Sequence, residues 1–411
     1  MLLQFNFKNF KSFRDDTVLD LGATKISEFN NHVVNFDNEK VLPVAGIYGA
    51  NASGKSNVYD AFKYMHDYVL NSFAFLPGNE NFLKPTPFLF DSDSKNKESS
   101  FEVYFIDNMR ETYKIYNYGF SIDKDGVCEE WLNYKAKTSR EGFKRIFYRN
   151  RNELDFSGIN ESSRKNIKLA LGNRTLIVSL GARLQVDICY FIYIWFLNNS
   201  FANFGLPFED LNLSQMLPLN FADDKKVQDK VVRFLSTFDS SIKGFEVDPI
   251  KVGNETKYRI YSIHDSIDGN DQISIPFSDE SSGTLKMFSL YPMMQKVLES
   301  GGVFFADELN SKLHPLLVRS LIIAFMNPDI NTKHAQLIFT SHDAWQLNSN
   351  MLRRDEIWFA EKDHSGLSIL YSLADFIDED GNKIRKDENQ EKNYLLGKYG
   401  AIPELKDFDM F

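Results

Sequence analysis

Apolar and polar residues alternate at the start of the chain, with Leu3, Phe5 and Phe7 separated by Gln4, Asn6 and Lys8. A period of two predicts a half-buried β-strand. The pattern then changes. Val44 to Ile47 is a short apolar run, followed by a Gly/Ala/Ser-rich stretch and by apolar residues at 58, 61, 62 and 65. Those spacings predict a buried strand, a loop and a helix. From there to about residue 100 the chain is rich in Pro, Asn, Ser and Asp, and "DSDSKNKESS" reads as a mobile surface loop. Aromatic and β-branched runs over 101–150, broken by turns such as "DKDG", predict an antiparallel sheet. Residues 163–245 read as mostly helical, with the apolar "VDICYFIYIWFLN" as a buried helix. After 271 strands and helices alternate again, which predicts that a parallel sheet resumes. Residues 378–393 are charged and predicted to be solvated. No repeat and no sustained heptad pattern is present, so long coiled-coil arms are not expected.

Composition narrows the class. A hydrophobic content of 43% with 14% aromatics is ample for a sizeable core in a chain of 411 residues, so a globular fold is expected. Cys128 and Cys189 stand far apart with no metal-ligand spacing, which argues against a disulfide framework or a zinc site and favours a reducing, cytoplasmic setting. Gln4, Asn6 and Lys8 interrupt any signal-like apolar region, and no run approaches the roughly twenty apolar residues of a membrane span. The chain is therefore expected to be neither secreted nor membrane-bound. Its net charge of −10 excludes a uniformly basic nucleic-acid surface while leaving a local basic patch open.

Three motifs carry chemistry. Gly49-Ala50-Asn51-Ala52-Ser53-Gly54-Lys55-Ser56 fits GxxxxGK[ST], the pattern in which backbone N–H groups wrap phosphates. Lys55 would neutralise the β/γ charge and Ser56 would ligate Mg²⁺; Asn51, Ala52, Ser53, Gly54 and Asn57 complete the expected binding loop. "GGVFFADE" is an apolar run that delivers Asp307 and Glu308 to the carboxyl end of a strand. Asp307 would join the Mg²⁺ shell, and Glu308 would orient the water that attacks the γ-phosphate. Alone, such an acidic strand end could equally be a solvated turn. "AQLIFTSHDAWQL" supplies a third strand, Leu337 to Phe339, that ends in Thr340, Ser341 and His342, and His342 could donate to a γ-phosphate.

Together, in this order and with the small-residue cluster Ser281-Ser282-Gly283-Thr284 between the first two, these motifs resemble the heads of ABC-type ATPases, in particular the SMC/RecF/OLD-like branch. The resemblance implies an α/β fold of P-loop NTPase type: an ABC-ATPase-like head with a mixed sheet, an antiparallel β lobe and a helical insertion. Residues 1–160 would form the N-terminal part of the head, 161–270 a mainly helical insertion, and 271–411 the C-terminal part. Ser281 and Gly283 would be the signature that grips the γ-phosphate held by a second protomer, so that ATP glues two heads into a homodimer; assembly beyond the dimer is left open. As a helix N-terminus, the same cluster could instead be an ordinary cap. Pro292 should kink or break the helix that follows. "NFKSF" (Asn9 to Phe13) resembles the branch's N-terminal loop, with Lys11 as a nucleotide contact. "DELNSKLHP" (Asp307 to Pro315) and "YLLGKYGAIPEL" (Tyr394 to Leu405) resemble stand-alone prokaryotic members, the RloA-like or abortive-infection ATPases. Ser282 and Thr284 depart from the Gly-Gly-Gln of transporter signatures, and Gln185 is a weak candidate for the Q-loop glutamine.

The interval from Lys55 to Asp307 is too short for SMC-type arms, and too little chain follows His342 for an OLD-type nuclease domain. "DEIWFAEKDHSGLSILYSL" reads as a β-hairpin completing the sheet, and "DFIDED" as a solvated loop. The expectation is an ATP- and Mg²⁺-dependent ATPase that acts as sensor or scaffold for a separately encoded nuclease or toxin in anti-phage defence. The alternative is a RecF-like repair ATPase whose ATP-bound dimer clamps duplex DNA.

Overall fold

The computed structural model describes residues 1–36, 38–74, 84–107, 113–136, 142–205, 217–252, 255–347, 351–377, 381, 384–385 and 388–403. The chain opens as its alternation predicts. Strand β1 (Leu2–Lys8) turns Phe5 and Phe7 into the core, and β2 (Thr17–Asp20) pairs with it antiparallel. A small ribbon of β3 (Val34–Phe36) and β4 (Glu39–Val41) leads into β5 (Val44–Tyr48), which is buried at every position. Helix α1 (Lys55–Asn71) follows and buries Val58, Ala61, Phe62, Met65 and Val69, one helical stripe at three- and four-residue spacing.

Strands β6 (Ser99–Asp107), β7 (Lys114–Asp123), β8 (Gly126–Ala136), β9 (Lys144–Asn150) and β10 (Leu154–Asp155) extend the first sheet as a meander. Its order is β10-β9-β8-β7-β6-β1-β2, with every pair antiparallel. The loop before β6 is pinned: the Asn9 amide donates to the carbonyls of Ser94, Lys97 and Glu98. Helices α2 (Glu161–Ala170), α3 (Ile177–Arg183) and α4 (Asp187–Leu197) come next. The apolar α4 packs on the meander, with Trp195 stacked on Phe105 at 4.2 Å and Phe191 against Tyr116 at 5.1 Å. It is buried on one side only, since Tyr190 is 54% exposed. Among the described residues no single helix is long and apolar enough to cross a membrane.

The remaining elements are β11 (Ser200–Asn203), α5 (Lys225–Leu235), β12 (Ile242–Val252), β13 (Glu255–Asp265), β14 (Gln272–Pro276), α6 (Ser282–Ser300), β15 (Val303–Asp307), α7 (Pro315–Met326), β16 (Gln336–Ser341), β17 (Ile357–Lys362), β18 (Ser368–Ser372) and α8 (Gln390–Leu395). The second sheet has the order β11-β15-β16-β5-β17-β18; the first five strands are parallel and β18 returns antiparallel, closing the expected hairpin.

Two expectations gain detail here. Residues 161–270, expected to be a mainly helical insertion, hold strands as well as helices: β11 belongs to the parallel sheet, and β12 and β13 pair antiparallel and continue to β14 just beyond that range. Strand β14 and much of β13 are exposed, and β12 buries Ile242, Gly244 and Phe245 at one end, so little period-two alternation reveals them. Pro292 does not end α6, which runs on to Ser300.

Helix α1 lies between the two sheets. Phe62 meets Phe5 of the antiparallel sheet at 4.9 Å and Phe305 of the parallel sheet at 6.2 Å, and Tyr59 meets Phe305 at 5.4 Å. Alternate residues of the parallel strands thus face α1, among them Ile47, Phe305, Ile338 and Trp358. Their neighbours Phe304, Phe339 and Phe359 face a second core built with α5, α6 and α7. Truncating a fully buried ring such as Phe305 would cost about 3–5 kcal/mol.

Candidate functional site

The carboxyl ends of β5, β15 and β16 lie side by side, and the loops leaving them converge on the N-terminus of α1. After Tyr48 the backbone turns through Gly49 (φ 152°), Ala52 (φ 62°) and Gly54 (φ 110°). Positive φ is one reason for glycine at 49 and 54. Close approach is the other: a Cβ at 49 would lie 2.3 Å from the Ala360 carbonyl oxygen, and one at 54 would lie 2.6 Å from Ser368 Oγ.

Lys55 begins α1 and is only 4% exposed. Its ammonium folds back to donate to the carbonyls of Gly49 and Ala50, both at 2.8 Å. Burial pulls its pKa below the ordinary lysine value, against the opposing pull of Glu308 and Asp307. Ser53 Oγ in the same loop is buried and has no partner among the described residues. A buried cation held by carbonyl dipoles, an orphan hydroxyl and the free N–H groups of a helix N-terminus form a cradle that fits a phosphate chain.

Asp307 closes β15 at 1% exposure. Its Oδ1 accepts from Thr340 Oγ1 at 2.6 Å. Burial raises its pKa most, reinforced by Glu308 and Asp60, while hydrogen bonds from Thr340 and Ser56 lower it. The Ser56 hydroxyl and the Asp307 carboxylate are thus adjacent oxygen donors, the kind of pair that Mg²⁺ completes with phosphate and water. Among the described residues no group of three His, Cys, Asp or Glu could hold a metal ion by itself.

Glu308 sits at φ 55° and its N–H donates to Thr340 Oγ1 at 2.9 Å, so one threonine fixes both acids. The Glu308 Oε2 lies 2.7 Å from His342 Nδ1, and His342 Nε2 lies 3.3 Å from the Asn310 amide. With that amide donating to Nε2, the ring proton is on Nδ1 and is donated to Glu308. Strand β11 adds Asn203, in register with Asp307, and the turn after it brings Gly205, where a Cβ would be 3.1 Å from Glu308 Cγ. Residues 51 to 57, Glu308 and Lys362 line one cleft of about 310 Å³.

The other expected residues lie elsewhere. The Lys11 ammonium is held by Asp60 of α1 at 2.5 Å and does not line the cleft. From the same N-terminal loop it is Ser12 that reaches the phosphate loop, accepting from the Asn57 amide at 2.7 Å and bonded to the Ser368 hydroxyl at 2.8 Å. Ser281 caps α6, accepting from the Thr284 N–H at 3.1 Å, and a Cβ at Gly283 would lie 3.6 Å from the Lys312 carbonyl. Neither lines this protomer's cleft. Gln185 occupies an exposed turn at φ 57° between α3 and α4 and is not a cleft residue. Tyr394 and Tyr399 pack on Phe359, and the Ala401 carbonyl accepts from the Ala50 N–H at 2.8 Å; residues 404–405 of that segment, 378–380 of "DFIDED" and much of 378–393 lie outside the described residues.

The placement of Thr340, Asn203, Ser12, Ser368 and Lys362 at or beside the cleft was not read from the sequence. Thr340 was findable as the polar residue that follows the apolar run Leu337 to Phe339 near the end of β16. The others depend on which strands are neighbours, and no local pattern reports that.

A family model described as "AAA domain, putative AbiEii toxin, Type IV TA system" matches residues 44–344, a span that includes all three motif strands. No curated protein matches the chain significantly. Among solved structures, one described as "Crystal structure of the SmcHead bound to the C-winged helix domain of ScpA" is similar over 90% of this chain and 97% of that one, with 14% identity and a TM-score of 0.41.

Proposed function

The chain belongs to the family described as AAA domain, putative AbiEii toxin, Type IV TA system, and on that premise we propose that it binds and hydrolyses Mg²⁺-ATP. The observation that carries this reading is the Lys55 cradle opening onto the same cleft as Glu308, which is hydrogen-bonded to His342. Bound Mg²⁺ would supply charge neutralisation at the β- and γ-phosphates. Lys55 and the loop N–H groups hold the phosphate chain. Ser56 and Asp307 provide the metal's oxygen donors. Glu308 orients a water for in-line attack and takes up its proton, and His342 keeps the Glu308 carboxylate aimed.

The same reading gives Ser281 and Gly283 their role in trans. They stand at the N-terminus of α6 and do not line this protomer's own cleft, which supports a contact with ATP held by a second copy. The dimer would then be the switch that controls a separately encoded effector, a nuclease or toxin, in defence against phage; the toxin–antitoxin wording of the family description supports that context.

Calorimetry and phosphate release test the core of the reading. Lys55→Ala should abolish ATP binding, whereas Glu308→Gln should bind ATP and lose hydrolysis. Normal hydrolysis by Glu308→Gln would overturn the catalytic assignment.

A further inference from the structure

The cleft holds a second cation that the three motifs do not include. Lys362 ends β17, whose alternation is fixed by its pairing with β5. Trp358 and Ala360 belong to the core around α1, while Ile357 and Phe359 face the opposite core. Lys362 continues the α1 side and lines the phosphate cleft with residues 51–57 and Glu308.

Its neighbours do not neutralise it. Asp363 spends its Oδ1 on its own turn, accepting from the N–H and hydroxyl of Ser365 and from the Leu367 N–H at 2.7–2.9 Å. Glu361 points the other way and accepts from the Tyr371 hydroxyl at 3.0 Å. Among the described residues no carboxylate forms an ion pair with Lys362. Lys11, by contrast, is already engaged by Asp60.

The hairpin that carries Lys362 is built into the phosphate loop. Lys362 stands opposite Ser368 in the β17–β18 register. The Ser368 hydroxyl bonds Ser53 O and Ser12 Oγ, both at 2.8 Å, and its N–H donates to Ser12 O at 2.8 Å. Ala360 O and Ser368 Oγ are the atoms that press on Gly49 and Gly54. The position of Lys362 relative to the loop is therefore set by hydrogen bonds from Ser368 of β18 and by the close approach of Ala360 of β17 to Gly49.

We infer that Lys362 is a second nucleotide-binding ammonium, which contacts the phosphate chain of the nucleotide from the β17–β18 side of the cleft while Lys55 grips it from the loop side. The inference rests on the ATP-binding reading and deepens it. A flexible, solvent-facing ammonium attracts the ground state and the transition state nearly equally, so its loss should weaken binding more than it slows turnover.

The test is isothermal titration of ATP in EDTA, which excludes Mg²⁺-dependent hydrolysis, for wild type, Lys362→Gln, Lys362→Arg and Lys55→Ala, followed by steady-state kinetics with Mg²⁺. Lys362→Gln should raise the ATP Kd roughly ten-fold, the low end for an exposed charge-assisted contact. Lys362→Arg should recover most of that loss. KM should rise about ten-fold while kcat falls less than about three-fold. Added salt should narrow the gap between wild type and Lys362→Gln. Wild-type affinity in Lys362→Gln, with binding lost in Lys55→Ala, would overturn the inference and leave the ATPase reading intact. Wild-type affinity in Lys55→Ala as well would overturn both.

Discussion

Replacing Thr340 by valine tests the positioning of both acids with one nearly isosteric change. The Thr340 hydroxyl donates to Asp307 Oδ1 at 2.6 Å and accepts from the Glu308 N–H at 2.9 Å, and the residue is completely buried. Valine keeps the shape and removes both bonds. Losing a hydrogen bond to a buried carboxylate costs about 1.5–3 kcal/mol, and an orphaned buried N–H about 1–3 kcal/mol. The two losses share one atom, so the combined penalty should be about 2–4 kcal/mol and not their sum. The N–H concerned belongs to Glu308, which sits in the left-handed region, where only its surroundings hold it. If about 2 kcal/mol of the penalty falls on the barrier, kcat drops roughly 30-fold. ATP affinity should change little, because Lys55 and the loop are untouched. The assays are phosphate release at saturating Mg²⁺-ATP, ATP titration and a urea melt, with Thr340→Ser as the control that should restore most of the activity. A Thr340→Val protein with wild-type turnover would refute the argument that this hydroxyl sets the catalytic geometry.

Glu308→Gln should double its native mass when Mg²⁺-ATP is added, and adding Ser281→Arg should prevent this; no change in mass with ATP would refute the sandwich, and a dimer that survives Ser281→Arg would refute the signature contact. Burial holds the Glu356 carboxyl above its ordinary value of 4.5, with His32, the Arg353 N–H and Asp355 around it. The folded chain therefore keeps a proton that the unfolded chain releases, a stabilisation complete below pH 4.5 and lost as pH rises through the folded value. Glu356→Gln should remove that slope in urea melts run at about pH 4.5, 6 and 7.5, and an unaltered profile would refute it.

How far the chain could be read in advance follows from the range over which each signal acts. The phosphate loop and the acidic strand end were legible because each is a few consecutive residues whose types are dictated by backbone geometry, as at Gly49, Gly54 and Asp307. The meander over 101–150 was legible because its inner face is buried and its outer face is not. Strands β12 to β14 were not, since β14 and much of β13 are exposed and β12 buries Ile242, Gly244 and Phe245 at one end, which leaves little alternation to read, and β11 is only four residues long. Asn203, Ser12 and Lys362 are local unknowns for another reason: their importance arises from strand order and from a hairpin folding back over the loop. Lys11 was expected at the nucleotide, and its partner in the structure, Asp60, could not be read locally because it lies on the helix and not in the loop.

The phosphate loop is braced by atoms from nearly the whole length of the chain, including Ser12, Ala360, Ser368 and Ala401. A ribosome delivers Gly49 to Ser56 early and Ala401 some 350 residues later, at about 5–20 residues per second. During that interval the glycine-rich turn has no hairpin at its back, and water stands in for the Ala401 carbonyl at the Ala50 N–H. On the proposed reading, nucleotide capture would be a property of the folded whole, and a nascent chain that already carries the binding motif would still lack the contacts that brace it.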